Sequence, residues 1–530
     1  MADSSQQPHE SRVKKSLLNA KVNTICYFVA IITAFFTRRI FLEYLGENFM
    51  GLTGTLGSLL GFLNLAELGV GTAIGYVLYK PLYDRDQQKI KEVLSLLGYL
   101  YRMIGLFILG SGVILSCFLP LIFPEESRGD ISMGVVFFGF YAYLTSTLVG
   151  YFANYRAMLL SADQRNYVVT GYFQIVTSVK VIVQMVLAIY VTNFYLYLAI
   201  EFVCGIINVT IVNYKINRTY PWLKTEVSQG RLLFKKYPEV AKYIRQIFLH
   251  NVSGFINYQT APMFIYMYVS LPIVALYNNY TMVVQKVGSL VTSVVTSTGA
   301  GVGNLVAEGD GEKIYRVYRE LTALRIFIGG VVTFCIYRLA TGFICVWVGP
   351  QYALGEVVVA ILCVQTYIGF VRPTTDEFLF AMGLFYDVWA PFVQMIISVG
   401  VTCACGYMWG LPGVILGPVV SFIIIVRGWK PFFLYTKGFH RSLVGYVWLN
   451  VRNMAPVIMA YAVTSVICGF FVTDELISSG WMGWLAGASA FTAIMGVVSS
   501  ALMLAMSKDF RMVARRFDYK KLLKKLKLRK

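Results

Sequence analysis

The sequence predicts an all-α integral membrane protein, and three observations make that prediction. Of 530 residues, 57% are hydrophobic and only 14% are charged, well below the roughly 25% charged content of soluble domains. Apolar stretches of about 20 residues, each long enough to cross a hydrocarbon layer of about 30 Å, recur from residue 22 to residue 506. Short alternating strands, the mark of a closed barrel, are absent from the pattern, so the spans are helices.

Taken in order, the spans fall at 22–42, 50–79, 95–123, 131–152, 167–191, 194–215, 246–270, 272–307, 320–348, 355–371, 386–409, 411–436, 453–473 and 480–506, about fourteen in all. The second and eighth are over-long and glycine-rich, and the tenth stops at Arg372-Pro373, so kinks or bends are expected at these three. Residues 1–21 form a polar cytoplasmic segment. The first span is too long for a signal peptide and lacks a small-residue cleavage site, so it is expected to stay in place. Residues 216–245 form a basic cytoplasmic linker, and 507–530 a basic cytoplasmic tail ending K-K-L-L-K-K-L-K-L-R-K. The stretch G-F-H-R-S-L-V-G-Y-V-W-L-N-V-R (438–452) reads as a helix lying in the cytoplasmic interface before span thirteen.

Orientation follows from the 46 lysines and arginines. With both termini cytoplasmic, the great majority fall in cytoplasmic segments, while the opposite connections hold only Arg128, as the translocation machinery requires. The net charge of +19 therefore reads as a topology signal and as contact with anionic lipid head groups through loops and tail, not as a nucleic-acid surface. Nine cysteines stand singly without a C-x-x-C pair, and His9, His250 and His440 are far apart, so neither disulfides nor a metal site are expected. The glycine-rich run 299–311 lacks the lysine of a phosphate-binding loop, which argues against ATP hydrolysis within this chain.

The chain repeats itself. D-R-D-Q-Q-K-I-K-E-V follows the second span and E-G-D-G-E-K-I-Y-R-V follows the eighth, aligning Asp86, Lys89 and Ile90 with Asp310, Lys313 and Ile314. Six spans separate the copies, an even number, so the halves share one orientation about an axis along the membrane normal. The expected organisation is an N-lobe of helices 1–6 (22–215), a C-lobe of helices 7–12 (246–437), and an appended pair, helices 13–14 (453–506).

Several stretches resemble a known family. Y-L-G-E-N-F-M-G-L-T-G (44–54), N-L-A-E-L-G-V-G-T-A-I (64–74), L-Y-K-P-L-Y-D-R-D (78–86), L-S-A-D-Q-R-N-Y (160–167) and G-L-P-G-V-I-L-G (410–417) are similar to the polysaccharide-transporter branch of the multidrug/oligosaccharidyl-lipid/polysaccharide (MOP) exporter superfamily, which includes the flippases for O-antigen and capsule repeat units. The likeness covers about residues 12–440; Pro418 departs from it, standing where the family more often has threonine. The resemblance implies a bacterial inner-membrane flippase, not an enzyme. Such a protein turns a polyprenyl-diphosphate-linked oligosaccharide from the cytoplasmic to the outer leaflet by alternating access between two lobes. It further implies helices 13 and 14 as a groove for the lipid tail, a polysaccharide polymerase and glycosyltransferases as partners, and no cofactor beyond a coupling H+ or Na+.

The residues themselves fit such a substrate. A lipid-linked diphosphate needs a wet, cationic passage, and intramembrane bases supply one. Seven bases lie within or at the edge of spans: Arg38, Arg39, Arg102, Lys180, Lys286, Arg325 and Arg338. At 1.5 Å per residue, Lys180 lies about 20 Å and Lys286 about 21 Å into their spans, and the arginine pair about 24 Å above the start of the first. Arg38, Arg39 and Lys286 are the leading contacts for the diphosphate, with Lys180 beside them. The alternatives for the arginine pair are snorkelling to outer head groups or pairing with Glu43. Glu67 is either a partner for one of these bases or a coupling site. Arg102 and Arg325 read as head-group anchors, and Asp376 and Glu377 as a loop-stabilising pair with Arg372. Two rival functions remain: a cation-coupled multidrug exporter of the same superfamily, which would want deep carboxylates, and a membrane polysaccharide polymerase or ligase, which would want a catalytic loop outside.

Overall fold

The computed structural model describes residues 12–67, 69–125, 129–295, 302–303, 305–306, 308–384, 389–470, 472–473, 476–477 and 479–516. Arg128, the polar residues 1–11, part of the glycine-rich run 299–311 and the tail beyond 516 lie outside them. Every regular element among the described residues is helical. The long helices are α1 (Arg12–Leu63), α2 (Val70–Asp84), α3 (Gln87–Cys117), α4 (Met133–Ala153), α5 (Asn166–Tyr190), α6 (Phe194–Thr219), α7 (Pro238–Gln259), α8 (Leu271–Val295), α9 (Gly311–Trp347) and α10 (Glu356–Ala381). They are followed by α11 (Trp389–Trp409), α12 (Leu411–Ser421, continued through π-helical turns to Gly438), α13 (Leu443–Gly469), α14 (Trp481–Met506) and α15 (Lys508–Arg516).

Eleven helices among the described residues are long and apolar enough to cross a membrane. Where described, the expected second, seventh and eighth spans are mostly helical but do not meet that measure. The second is broken: α1 is interrupted at Gly46 (φ 81°), its later limb ends in a tight turn at Asn64–Glu67, and Gly69 (φ 101°) then opens α2. Only glycine adopts these left-handed angles without strain. Phe41 and Phe49, on either side of the Gly46 break, both pack edge-on against Tyr197. α7 and α8 are instead too polar, α8 because Asn278, Asn279, Gln285 and Lys286 interrupt its apolar face.

By packing, the chain divides into two compact units, residues 1–266 with 270–275 and residues 267–269 with 276–530. The second lobe is expected to start at 246, but α7 packs with the first unit. Val240 is fully buried in the core that Ile74, Leu97 and Ile216 build, Tyr243 packs edge-on against Tyr76, and the Ser58 hydroxyl donates to the Gln259 carbonyl at 3.0 Å. The basic linker is likewise docked, not loose. Lys236 and the Tyr237 hydroxyl both reach Glu92 of α3 at 2.6 Å, and the Glu226 amide donates to Ser95 at 2.9 Å.

In the second unit, α13 and α14 pack on each other and on α9, sharing a core of Ile326, Val457, Ala460, Phe491 and Met495. α11 and α12 approach very closely: a Cβ on Gly413 would stand 1.9 Å from the Cys405 carbonyl oxygen, so the G-L-P-G motif is a packing requirement. Two expectations are corrected here. No separate interfacial helix occupies 438–452, because Ser442 caps α13 and residues 443–452 form its first turns; the short helix after the last span is α15. V-R-P-T-T-D-E is not a loop either. α10 runs through Pro373 to Ala381, the proline removing one backbone donor from a helix that its neighbours hold in place.

The repeat has a structural meaning. Asp86 caps α3 by accepting from the Lys89 amide at 2.9 Å, and Asp310 caps α9 by accepting from the Lys313 amide at 3.0 Å. Ile90 and Ile314, one turn on, are both buried. Each unit thus contains one copy of the same helix start.

Candidate functional site

The adjacent arginines sit near the C-terminal end of the first limb of α1 and point different ways, as neighbours about 100° apart on a helix must. Arg38 is half-buried, and its guanidinium donates to the Ala275 carbonyl at 3.0 Å. Arg39 is exposed, on the same face as exposed Ile25, Phe28, Ile32 and Phe36 and one turn before exposed Glu43. Among the described residues no ion pair joins it to Glu43. An otherwise apolar stripe therefore presents one guanidinium.

Lys180 is held differently. Its ammonium forms an ion pair with Glu201 at 2.7 Å, both side chains being largely buried between α5 and α6. The pair neutralises itself inside one unit. Glu201 was missed in the sequence, although a lone carboxylate in Y-L-A-I-E-F-V opposite a lone lysine one span earlier was signal enough.

Glu67 is partnered by a phenol and not by a base. The Tyr101 hydroxyl donates to its carboxylate at 2.9 Å, Tyr101 packs edge-on against Tyr151, and the Tyr151 hydroxyl donates to Asn64 at 3.3 Å. The A-E-L-G motif builds this cluster, because its turn places Asn64 and Glu67 together and Gly71 leaves room: a Cβ there would lie 3.2 Å from the Tyr101 oxygen.

In the second unit, Lys286 is half-buried on polar α8, which also carries Gln285, Ser289 and, about two turns earlier, Asn278 and Asn279. Several deep charges of this unit lie in ion pairs. Arg325 is no head-group anchor: it is 3% exposed and bound to Glu377 at 2.6 Å. Asp376 takes Arg372 at 2.7 Å on one oxygen and Lys430 at 2.5 Å on the other, and Arg427 donates to Asn450 at 2.8 Å. Arg102, by contrast, is exposed. No group of three or more potential metal ligands occurs among the described residues.

No family model matches the sequence, and no curated protein matches it. Solved structures do match. One is the lipid II flippase MurJ in an inward closed conformation, at 11% identity and a TM-score of 0.64, covering 92% of this chain and 99% of that one. The chain shares its fold. A second is an inward-facing multidrug resistance MATE family transporter of the MOP superfamily, at 14% identity and a TM-score of 0.57, covering 83% of this chain and 99% of that one. At these identities the likeness is one of fold: an all-α membrane architecture common to the MurJ flippase and MATE transporters.

Proposed function

We propose that this protein is a flippase that carries a polyprenyl-diphosphate-linked oligosaccharide from the cytoplasmic to the outer leaflet of the bacterial inner membrane by alternating access, in the assembly of a surface polysaccharide. The observation that carries this reading is the disposition of charge. Deep carboxylates Glu201, Asp376 and Glu377 are each committed to a base inside their own unit and Glu67 to the Tyr101 hydroxyl, whereas Arg39 is presented on an apolar helix face. A cation exporter needs the reverse, a carboxylate offered to the substrate. An anionic head group needs a guanidinium, whose paired N–H groups match phosphate oxygens.

The fold likeness supports the reading further, since it runs over more of this chain for a flippase of a lipid-linked substrate than for a drug transporter. Arg38, Arg39 and Lys286 are the proposed diphosphate contacts. Lys180 takes a lesser part because Glu201 already balances it. Glu67 is the proposed point for coupling to H+ or Na+, being a carboxylate partnered by a phenol. A polymerase or ligase is disfavoured by the short connections after α5 and α11, which leave no room for a catalytic loop there.

The test is reconstitution into vesicles with a fluorescent lipid-linked oligosaccharide. Loss of charge-assisted hydrogen bonds worth about 1.5–3 kcal/mol each should slow flipping about 10- to 100-fold in Arg39→Gln and Lys286→Gln. Unchanged flipping in both variants would remove these residues from the site, and no flipping by the unaltered protein would remove the substrate.

A further inference from the structure

α2 is covered on one side only. Ala73, Ile74 and Leu78 are fully buried in the first unit. Tyr76, Tyr79, Lys80 and Tyr83 recur at helical spacing on another face and are exposed, the three rings to 62%, 60% and 73%. Among the described residues of α2 the one other exposed position is Asp84 at its end, so no aliphatic side chain points outward. Helices of the same unit with the outward face of a lipid-facing span do the opposite: α3 exposes Leu106, Phe107 and Ile114, and α5 exposes Ile175, Val179 and Ile182.

The rings form a ladder and not a belt. Interfacial tyrosines share one depth at the head groups, but Tyr76 and Tyr83 stand about 10.5 Å apart along the axis at 1.5 Å per residue. Tyr76 packs edge-on against Tyr243 of α7, ring centroids 5.1 Å apart, which fixes its orientation while leaving most of it uncovered. Lys80 follows Tyr79 directly and stands one turn from Tyr76. Among the described residues no ion pair joins Lys80 to Asp84. Two turns of helix therefore offer flat π surface, phenol groups and a cation together.

We infer that this face of α2 reads the sugar of the substrate: Tyr76 and Tyr79 stack on successive pyranose rings, and Lys80 takes the diphosphate that joins them to the lipid. The inference rests on the proposed flippase reading and names where that substrate is recognised. Ring chemistry and charge complementarity both select this occupant. A pyranose presents a face of weakly positive C–H bonds, which meets the negative face of an aromatic ring, while its hydroxyls reach the phenol oxygens. Tyrosine supplies such contact area with little conformational entropy to lose. A polyprenyl diphosphate is anionic where it joins the first sugar and forms a charge-assisted hydrogen bond with an ammonium. A cationic drug would also be drawn to the rings, but it would meet Lys80 with like charge.

The full chain, purified in mild detergent, tests this by fluorescence anisotropy with two labelled probes: a polyprenyl diphosphate bearing a pyranose trisaccharide, and the same lipid without sugar. Tyr76→Leu and Tyr79→Leu should each weaken binding of the glycosylated probe about three- to tenfold and leave the bare lipid unchanged. Tyr79→Phe, which keeps the ring, should bind as the wild type does, and Lys80→Gln should weaken both probes. Thermal melting checks each fold, and exposed Tyr79 decides the matter should Tyr76→Leu disturb α7. With the wild type binding the glycosylated probe, equal loss of both probes or loss of neither in Tyr79→Leu would overturn the inference and leave the flippase reading standing. A loss in Tyr79→Phe as large as in Tyr79→Leu, or full binding of both probes by Lys80→Gln, would do the same. Failure of the unaltered protein to bind the glycosylated probe would overturn both.

Discussion

The two units start their third and ninth helices alike and then treat charge in opposite ways. Asp86 and Asp310 cap α3 and α9 with the same geometry, and Ile90 and Ile314 seat the first turn in each core. Further along, Arg102 of α3 is exposed, whereas Arg325 of α9 is buried against Glu377. The second unit also binds Asp376 to two bases and clamps the fully buried Asp509 of α15 between Arg319 and Arg452. In the first unit a deep ion pair joins Lys180 and Glu201. A repeat thus preserves what sets a helix's start, while its charges are free to become internal braces on one side and a presented guanidinium on the other.

The largest test of this contrast is Asp509→Ala. It strands two arginines at a buried site and should cost about 3–5 kcal/mol, read as a fall in the melting temperature of the detergent-solubilised protein. Glu377→Gln should come close to it by leaving Arg325 without its carboxylate. Next, Lys180→Met and Glu201→Met should each destabilise, while the double substitution recovers most of the loss, since an apolar pair of similar volume replaces a buried ion pair at little cost. A double-mutant cycle that shows simple additivity would mean the pair is not coupled. The caps should lose about 1 kcal/mol each in Asp86→Ala and Asp310→Ala, and a large inequality between them would break the equivalence of the two helix starts. Least of all, Arg102→Gln should change stability by less than about 0.5 kcal/mol, as for other exposed positions.

Much of the architecture was legible in the sequence, because a membrane span announces itself by length and apolarity alone. Where reading failed, a neighbour from elsewhere in the chain decided. V-R-P-T-T-D-E looks like a loop by composition, yet Lys430 pairs with Asp376 and Arg325 with Glu377, so the segment stays helical within α10. The stretch 438–452 has the look of a surface helix, but Ser442 and the back-bonded Asn450 start a continuous α13 there. Arg102 and Arg325 are interchangeable in one dimension and opposite in three.

The sequence alone determined that this chain is an all-helical membrane protein with a repeated helix start, since hydrocarbon thickness and backbone hydrogen bonding admit no other solution for such apolar runs. Tertiary structure alone decided which charges are available. Whether a base deep in a span is spent on a carboxylate, a carbonyl or a substrate depends on the helix beside it, and adjacency between helices is a property of packing that spacing along one chain does not contain.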